Sequence, residues 1–107
     1  KLDNLVAVID RNMLQSIYST EDTLALEPFA DKWRAFGWSV IEIDGHDHEK
    51  IFDACKLESK VNNKPLCVIA STVKGKNVSF MEGNILWHYR SPQDSEYEAA
   101  IKELEGK

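Results

Sequence analysis

The chain has 107 residues, which is enough for one small domain with a single hydrophobic core. Its apolar content of 43% and charged content of 29% are typical of a globular protein, and its net charge of −5 argues against a nucleic-acid surface, which would be basic. No apolar run approaches the about 20 residues that a membrane-spanning helix needs. We therefore expect a globular domain that binds neither nucleic acid nor membrane.

The start of the chain and its cysteines indicate where the protein works. The chain begins with Lys1-Leu2-Asp3-Asn4 and enters a strand-like pattern directly, which predicts no signal peptide. This start is typical of a segment of a longer polypeptide, although a processed chain would have the same appearance. Its two cysteines, Cys55 and Cys67, lack the C-x-x-C spacing of redox and zinc sites. We expect two buried thiols in a reducing, cytoplasmic compartment.

The first third of the chain predicts a strand, a loop and a helix. Residues 5–9 form a continuous apolar run, typical of a strand covered on both faces, and the run stops at Asp10-Arg11-Asn12 without glycine or proline. Residues 13–26 are predicted to form a loop. A helix is predicted to begin at Glu27-Pro28 and to end at Gly37. One apolar face of this helix is predicted to consist of Phe29, Trp33 and Phe36.

Two further strands flank a second predicted helix. The second strand covers residues 38–43 and is followed by a turn at Asp44-Gly45. Asp47 is predicted to cap a helix that continues to about Val61. The residues predicted to face inward from this helix are Ile51, Ala54, Cys55 and Leu57. The third strand covers residues 66–72 and again has a continuous apolar core.

A polar and aromatic loop over residues 73–90 precedes the last predicted helix. Ser91-Pro92-Gln93-Asp94 resembles a capping box with proline at the first helical position. The apolar face of this helix is predicted to consist of Tyr97, Ala100, Ile101 and Leu104. The alternation of elements predicts one α/β domain over residues 1–107. It would be a three-layer, mostly parallel sheet of about three strands with right-handed crossover helices.

Polar segments follow all three predicted strands. They cover residues 10–14, 44–48 and 72–76. Ligands of open parallel sheets bind at the carboxyl ends of the strands, so these segments are the candidate site.

Each polar segment has a functional and a structural interpretation. Asn12 offers a neutral oxygen that suits a hard cation such as Mg²⁺, although an asparagine more often bonds its own turn. Lys74, in the Lys74-Gly75-Lys76 turn, could hold phosphate by charge, although a short basic turn is usually solvated. His46 and His48 suggest metal ligands, but the turn and the helix cap around them favour a structural role.

The loop before the last helix adds a further candidate. His88 lies between two large aromatic residues in Trp87-His88-Tyr89-Arg90 and could act as a hydrogen-bond donor or general acid/base. The alternative is a histidine that simply packs in its loop. No Ser-His-Asp, paired-carboxylate or zinc signature is present.

Four blocks in order resemble the N-terminal section of transketolase, especially the forms split into two polypeptides. The first runs from Leu2 to Asn12, and the others are "LEPFADKWRAFGWSVIEIDGHD" (26–47), "STVKGKNVSFMEGN" (71–84) and "WHYRSP" (87–92). The resemblance covers essentially the whole chain. It implies the fold of thiamine diphosphate enzymes, whose N-terminal domain grips the cofactor's diphosphate through a Mg²⁺ or Ca²⁺ ion.

The resemblance also implies roles for individual residues. Asn12 matches the asparagine that ends the family's metal motif, and Leu14 would give a backbone carbonyl to the same ion. His88 matches the histidine of the family's Trp-His-Gly motif, which approaches the diphosphate and the substrate hydroxyls, and is the implied catalytic residue. Lys74 matches a lysine in a Thr-x-Lys-Gly-Lys-Gly turn near the cofactor edge.

The chain departs from the family pattern at several points. The Gly-Asp-Gly half of the metal motif, the family's upstream histidines and the pyrimidine-binding domain with its activating glutamate are absent from these residues. Ser16 replaces an apolar residue expected against the thiazolium ring. Asn77 replaces a glycine, which its tolerance of positive φ accommodates, and Tyr89 replaces the glycine after the histidine and narrows the space there.

The sequence therefore leads to two alternative hypotheses for the function. The first is part of a thiamine diphosphate-dependent transferase of carbohydrate metabolism that moves two-carbon ketol units between sugar phosphates. Its partners would be the upstream segment and a pyrimidine-binding domain or subunit in an oligomer, and this chain alone would be inactive. The second is a non-catalytic αβ interaction module derived from a truncated relative. A nucleotide-binding domain is less favoured because no glycine-rich loop follows the first strand.

Overall fold

The computed structural model describes residues 1–56 and 63–106. Within these ranges, three strands form one parallel sheet: β1 (Val6–Arg11), β2 (Ser39–Asp44) and β3 (Leu66–Ser71), in the spatial order β1-β3-β2. The predicted parallel α/β architecture is confirmed. The ends of the strands differ from the predictions, because β1 and β2 each continue into polar residues that pair with the end of β3.

Helices separate the strands and follow the sheet. They are α1 (Thr20–Thr23), α2 (Phe29–Ala35), α3 (His48–Ala54) and α4 (Asp94–Glu105), with a 3-10 helix at Ile85–His88. The loop predictions for residues 13–26 and 73–90 missed α1 and the 3-10 helix. Both are single turns without the apolar periodicity that marks a longer helix. Leu57 and the predicted continuation of the second helix to Val61 lie outside the described residues.

Local capping chemistry explains where the helices begin and end. The Asp47 carboxylate accepts hydrogen bonds from the backbone N–H groups of Glu49 and Lys50 at 3.0 and 3.1 Å, which confirms the predicted cap of α3. Gly37 follows α2 with φ +87°, a conformation that favours glycine. Pro28 precedes α2, so the prediction that it lies in the first turn is wrong.

The predicted N-terminus of α4 is wrong by two residues. Gln93 is the N-cap, and the Glu96 carboxylate accepts the Gln93 backbone N–H at 3.2 Å. A capping box is present, but it is built from Gln93 and Glu96 instead of beginning at Ser91. Pro92 therefore lies outside the helix.

The helices cover both faces of the sheet. Ala54 of α3 packs with Leu66 and Val68 of β3 in the core. Side chains alternate along a strand, so Glu42 of β2 points to the opposite face, where it pairs with Arg34 of α2 at 3.1 Å. This arrangement gives the predicted three layers: helix, sheet, helix.

Burial is concentrated in β3, the central strand, where residues 66–70 are all buried. β1, an edge strand within the described residues, was expected to be covered on both faces, but Val8 is 59% exposed, so its face of β1 is not fully covered. Phe36 is 85% exposed because it caps the end of α2, so the predicted apolar face is only partly buried. On α4, Ala100 is buried whereas Tyr97 and Leu104 are exposed.

The two cysteines have different environments, so the expectation of two buried thiols is only half correct. Cys67 lies in β3, and its burial raises the pKa of its thiol, which makes it unreactive. Cys55 was predicted to face inward but is exposed, and it is the C-cap residue that follows the end of α3 at Ala54.

Candidate functional site

The register of the sheet brings the three polar segments to one edge. Ser71 pairs with Arg11 on one side and with Asp44 on the other, so all three strands end in line. The segments that begin at Asn12, Gly45 and Thr72 therefore leave the sheet together. The predicted convergence at the carboxyl edge is confirmed.

A cavity of about 260 Å³ opens at this edge and is lined by the four residues to which the family resemblance gave site roles, whereas none of residues 44–48 lines it. Its lining side chains come from the segments after β1 and β3 and from the 3-10 helix: Asn12, Leu14, Gln15, Ser16, Lys74, Ile85 and His88. Gln15 and Ile85 were not predicted as site residues, because a glutamine in a loop and an aliphatic residue in a short helix carry no sequence signal for a site.

Asn12 forms the turn that follows β1. Its side-chain oxygen accepts the Leu14 backbone N–H at 3.0 Å, and Met13 between them has φ +64°. This is the structural interpretation that the sequence left open, and it does not exclude the other. A carboxamide oxygen has two lone pairs, so Asn12 can bond its own turn and still offer an oxygen to a ligand.

The segment after β3 turns sharply and presents one of its two lysines to the cavity. Gly75 has φ +71° and Asn77 has φ +73°, in line with the expectation that asparagine tolerates positive φ at this position. Lys76 pairs with Glu82 at 3.7 Å, whereas Lys74 lines the cavity and its backbone carbonyl accepts the Gly83 N–H at 2.9 Å. The turn therefore supplies one ammonium group to the site.

His88 ends the 3-10 helix and lines the cavity. Asn84 caps this helix by accepting the Leu86 backbone N–H at 3.0 Å. Tyr89 packs edge-on against the His88 imidazole, with 4.8 Å between the ring centroids. The neighbouring Arg90 stacks over Trp87 and pairs with Glu96, so it serves the packing of the loop and not the cavity.

His46 connects two of the segments at the edge. Its Nε2 atom accepts the Val73 backbone N–H at 2.8 Å, next to Lys74. His48 is the first residue of α3 and is exposed. No group of three or more histidine, cysteine, aspartate or glutamate side chains in the described part of the chain is arranged to hold a metal ion. The hydrogen bond to Val73 supports the structural interpretation of His46.

We expect His46→Phe to loosen the start of the Lys74 turn, because phenylalanine fills similar space but cannot accept the Val73 N–H. Amide hydrogen exchange at Val73 should become about fivefold faster, which corresponds to loss of one hydrogen bond of about 1 kcal/mol. His46→Gln, which keeps an acceptor, should exchange nearly as the wild type does. His48→Phe is the matched control, and an equal acceleration there would contradict the role assigned to His46.

The described residues also bear on membrane association. Within residues 1–56 and 63–106, no helix has the length and apolar character to cross a bilayer.

Comparison with known proteins defines the class to which this fold and edge cavity belong. The family model described as "Transketolase, thiamine diphosphate binding domain" matches residues 1–105. The chain therefore belongs to the transketolase thiamine diphosphate-binding domain family, as its sequence blocks had indicated.

Individual relatives agree with this family. The chain is 46% identical over 104 residues to one of the apulose-4-phosphate transketolase subunits of Phocaeicola vulgatus, covering 97% of the chain and 37% of the relative. It is 40% identical over 105 residues to a 6-deoxy-6-sulfo-D-fructose transketolase subunit of Clostridium sp., covering 98% of the chain and 38% of that relative. Human transketolase is 32% identical over 97% of the chain, which corresponds to 16% of its own length. The chain thus spans less than two fifths of the curated relatives that it matches.

Proposed function

We propose that this chain is part of a thiamine diphosphate-dependent transketolase that transfers two-carbon ketol units between sugar phosphates. The observation that carries the proposal is the cavity at the carboxyl edge of the sheet. Asn12, Leu14, Lys74 and His88 were each assigned to the cofactor site from sequence blocks, and all four line that cavity. Residues up to 76 positions apart meet there, which sequence proximity alone does not bring about.

The donor set at the cavity fits a divalent cation and a diphosphate. The Asn12 carboxamide and the Leu14 carbonyl would offer neutral oxygens to Mg²⁺ or Ca²⁺, which bind oxygen ligands. The Lys74 ammonium would attract the anionic diphosphate. Because no aspartate or glutamate of the described residues lines the cavity, the charged metal ligand would come from another part of the complete protein.

The residues of this chain would bind and orient, and the cofactor would supply the covalent chemistry. Thiamine diphosphate, when bound, supplies the making and breaking of the carbon–carbon bond. His88 would donate a hydrogen bond to a sugar hydroxyl or exchange a proton with it at the imidazole. Ser16 also lines the cavity, at a position where the family pattern has an apolar residue. Its hydroxyl would therefore place a polar group next to the bound cofactor.

The names of the relatives suggest a partner and a substrate class. One of these relatives is named as a subunit of an apulose-4-phosphate transketolase, and another is named as a subunit of a 6-deoxy-6-sulfo-D-fructose transketolase. By analogy, we infer a second polypeptide that carries the pyrimidine-binding domain. An anionic sugar, of which a sugar phosphate is the ordinary case, would be the substrate.

We expect the chain alone to bind thiamine diphosphate poorly and to show no transferase activity, because it would hold only part of the metal shell. Calorimetric titration of the chain with thiamine diphosphate and Mg²⁺ measures the binding, and the complete protein with its partner is the positive control. Micromolar binding by the chain alone would contradict the shared site. Lack of binding by the complete protein would contradict the proposed function.

The second candidate, a non-catalytic interaction module, is favoured by one observation. Within the described residues, β1 is an edge strand, and such an edge invites pairing with another strand. Size-exclusion chromatography with light scattering tests for self-association. An oligomer without cofactor binding in the complete protein would favour the module over the enzyme, whereas a monomer would argue against both a module and a shared active site.

A further inference from the structure

Arg11 is a buried charge next to the cavity that the proposed function does not use. It is 7% exposed at the end of β1. Its Nη2 atom donates to Glu21 Oε1 at 2.6 Å and to Glu27 Oε1 at 3.1 Å, and the guanidinium lies 5.4 Å from the centroid of the Phe29 ring. Its buried Nε atom has no hydrogen-bond partner among the described residues. Burial of a charged group costs free energy, so the burial of the Arg11 guanidinium needs an explanation.

The guanidinium is connected to the Asn12 turn through one hydroxyl group. Arg11 Nη1 donates to Thr20 Oγ1 at 2.8 Å, and Thr20 Oγ1 in turn donates to the Met13 carbonyl at 3.2 Å. The Thr20 backbone N–H donates to the same carbonyl at 2.9 Å. Met13 lies between Asn12 and Leu14, the two residues that would face the metal. Arg11 therefore holds the base of the turn from inside the protein.

The two glutamates fix the other side of the arginine. Glu21 accepts the backbone N–H groups of Leu26 and Glu27, and Glu27 accepts that of Phe29 at 2.7 Å. Burial raises the pKa of Glu21, but the hydrogen bonds from the Glu27 backbone, Arg11 and Leu26 outweigh it, and the net pKa is lowered. The hydrogen bond from Phe29 and then that from Arg11 lower the pKa of Glu27. Both carboxylates are thus held ionised opposite the guanidinium.

These contacts also indicate what Arg11 does not do. It is not among the residues that line the cavity, and its terminal nitrogens already donate to Thr20, Glu21 and Glu27. Its charge is balanced by two carboxylates, so it has little attraction left for a diphosphate. Direct contact with the cofactor is therefore not the reason for its position.

We infer that Arg11, acting through Thr20, is a positioning residue that sets the shape of the Asn12–Leu14 turn for the metal and diphosphate. The inference rests on the proposed function. Groups that support a metal ligand from behind typically contribute about 10–100-fold to metal affinity, which gives the size of effect to expect. The arginine fork suits this task because it reaches the hydroxyl and both carboxylates at once, which the single ammonium of lysine does not.

The sharpest test removes the Thr20 hydroxyl and leaves the ion pairs in place. In the complete protein, Thr20→Val should raise the Kd for thiamine diphosphate in saturating Mg²⁺ by about tenfold. Thr20→Ser, which keeps the hydroxyl group, should have the Kd of the wild type. Hydrogen exchange of the Leu14 and Gln15 amides should be faster in Thr20→Val, with and without cofactor. This second readout does not depend on activity or on a loaded site.

Arg11→Lys and Arg34→Lys form a matched pair of variants. Each arginine bridges two carboxylates, since Arg34 pairs with Asp31 at 2.8 Å and Glu42 at 3.1 Å, but Arg34 is on the surface of α2. Arg11→Lys should weaken cofactor binding about tenfold, and Arg34→Lys should leave it within about twofold of the wild type. Urea unfolding of each variant identifies those that have merely lost stability.

The outcomes separate this inference from the proposed function. Wild-type protein that does not bind thiamine diphosphate contradicts the proposed function, and the cofactor part of the inference fails with it. If the wild type binds and Thr20→Val and Arg11→Lys both bind equally well with unchanged exchange at Leu14, the proposed function stands and the positioning role is overturned. Weaker binding with faster exchange in both variants, and in neither Thr20→Ser nor Arg34→Lys, supports it.

Discussion

Replacing Asn12 with leucine is expected to raise the Kd for thiamine diphosphate in the assembled enzyme by about 100-fold, the upper end of the loss seen when support for a bound metal is removed. Leucine has similar volume but no oxygen, so the cation would lose one ligand. The turn would also lose the hydrogen bond from the Leu14 N–H to the Asn12 side chain. Calorimetric titration with Mg²⁺ present measures the change.

A second variant separates the ligand from the turn. Asn12→Asp keeps an oxygen that can accept the Leu14 N–H and bind a cation, so its affinity should stay within about tenfold of the wild type. Urea unfolding should show that Asn12→Leu loses about 1 kcal/mol, the usual value of one hydrogen bond, and remains folded. Unchanged affinity in a folded Asn12→Leu protein would remove the basis for a metal site at this position.

Gly75→Ala is expected to destabilise the protein by about 3 kcal/mol, the sum of a left-handed backbone and an overpacked contact. Gly75 has φ +71°, and an added Cβ atom would lie 2.7 Å from backbone atoms of Met81. Backbone at that distance cannot rotate away as a flexible side chain can, so the turn itself must shift. The shift would displace Lys74, and cofactor affinity should fall as well. Chemical denaturation measures the loss of stability.

Gly83→Ala is the matched control for this prediction. Gly83 also has a left-handed backbone, with φ +64°, but a Cβ atom there would meet nothing within 4 Å. Gly83→Ala should lower the free energy of unfolding only by the cost of the left-handed backbone for alanine, about 1 kcal/mol. The difference between the two variants isolates the close approach of Gly75 to Met81. Equal losses would show that no such close packing exists in solution.

The described order of strands and helices was predictable from local patterns, whereas only some of the element ends were. Continuous apolar runs identified the strands, and Asp47 and Gly37 marked the beginning of α3 and the end of α2, because caps depend on a few neighbouring residues. The start of α4 was misplaced because Ser91-Pro92-Gln93-Asp94 resembles a capping box, whereas in the structure the box is formed by Gln93 and Glu96. The choice of Gln93 depends on where Glu96 finally lies.

The candidate site, too, was partly predictable from the sequence and partly decided by the fold. Its residues were identified because polar segments after parallel strands share an edge, and because sequence blocks resembled one family. The meeting of Asn12, Lys74 and His88 at one cavity required the sheet register and the 3-10 helix, neither of which leaves a local signal. The hydrogen bond between His46 and Val73 links residues 27 positions apart and was equally hidden.

By itself, the sequence determined the alternating α/β pattern, the polar edge and the chemical types gathered there, since these depend on periodicity and side-chain chemistry. Only the tertiary structure decided that β3 lies between β1 and β2, that Val8 and Phe36 are exposed, and that Arg11 is buried against two glutamates. The physical reason is that strand order, burial and ion pairing arise from contacts between distant residues. The sequence alone shows that an arginine follows the apolar run of β1. Only the fold brings the side chains of residues 20, 21 and 27 into contact with that arginine.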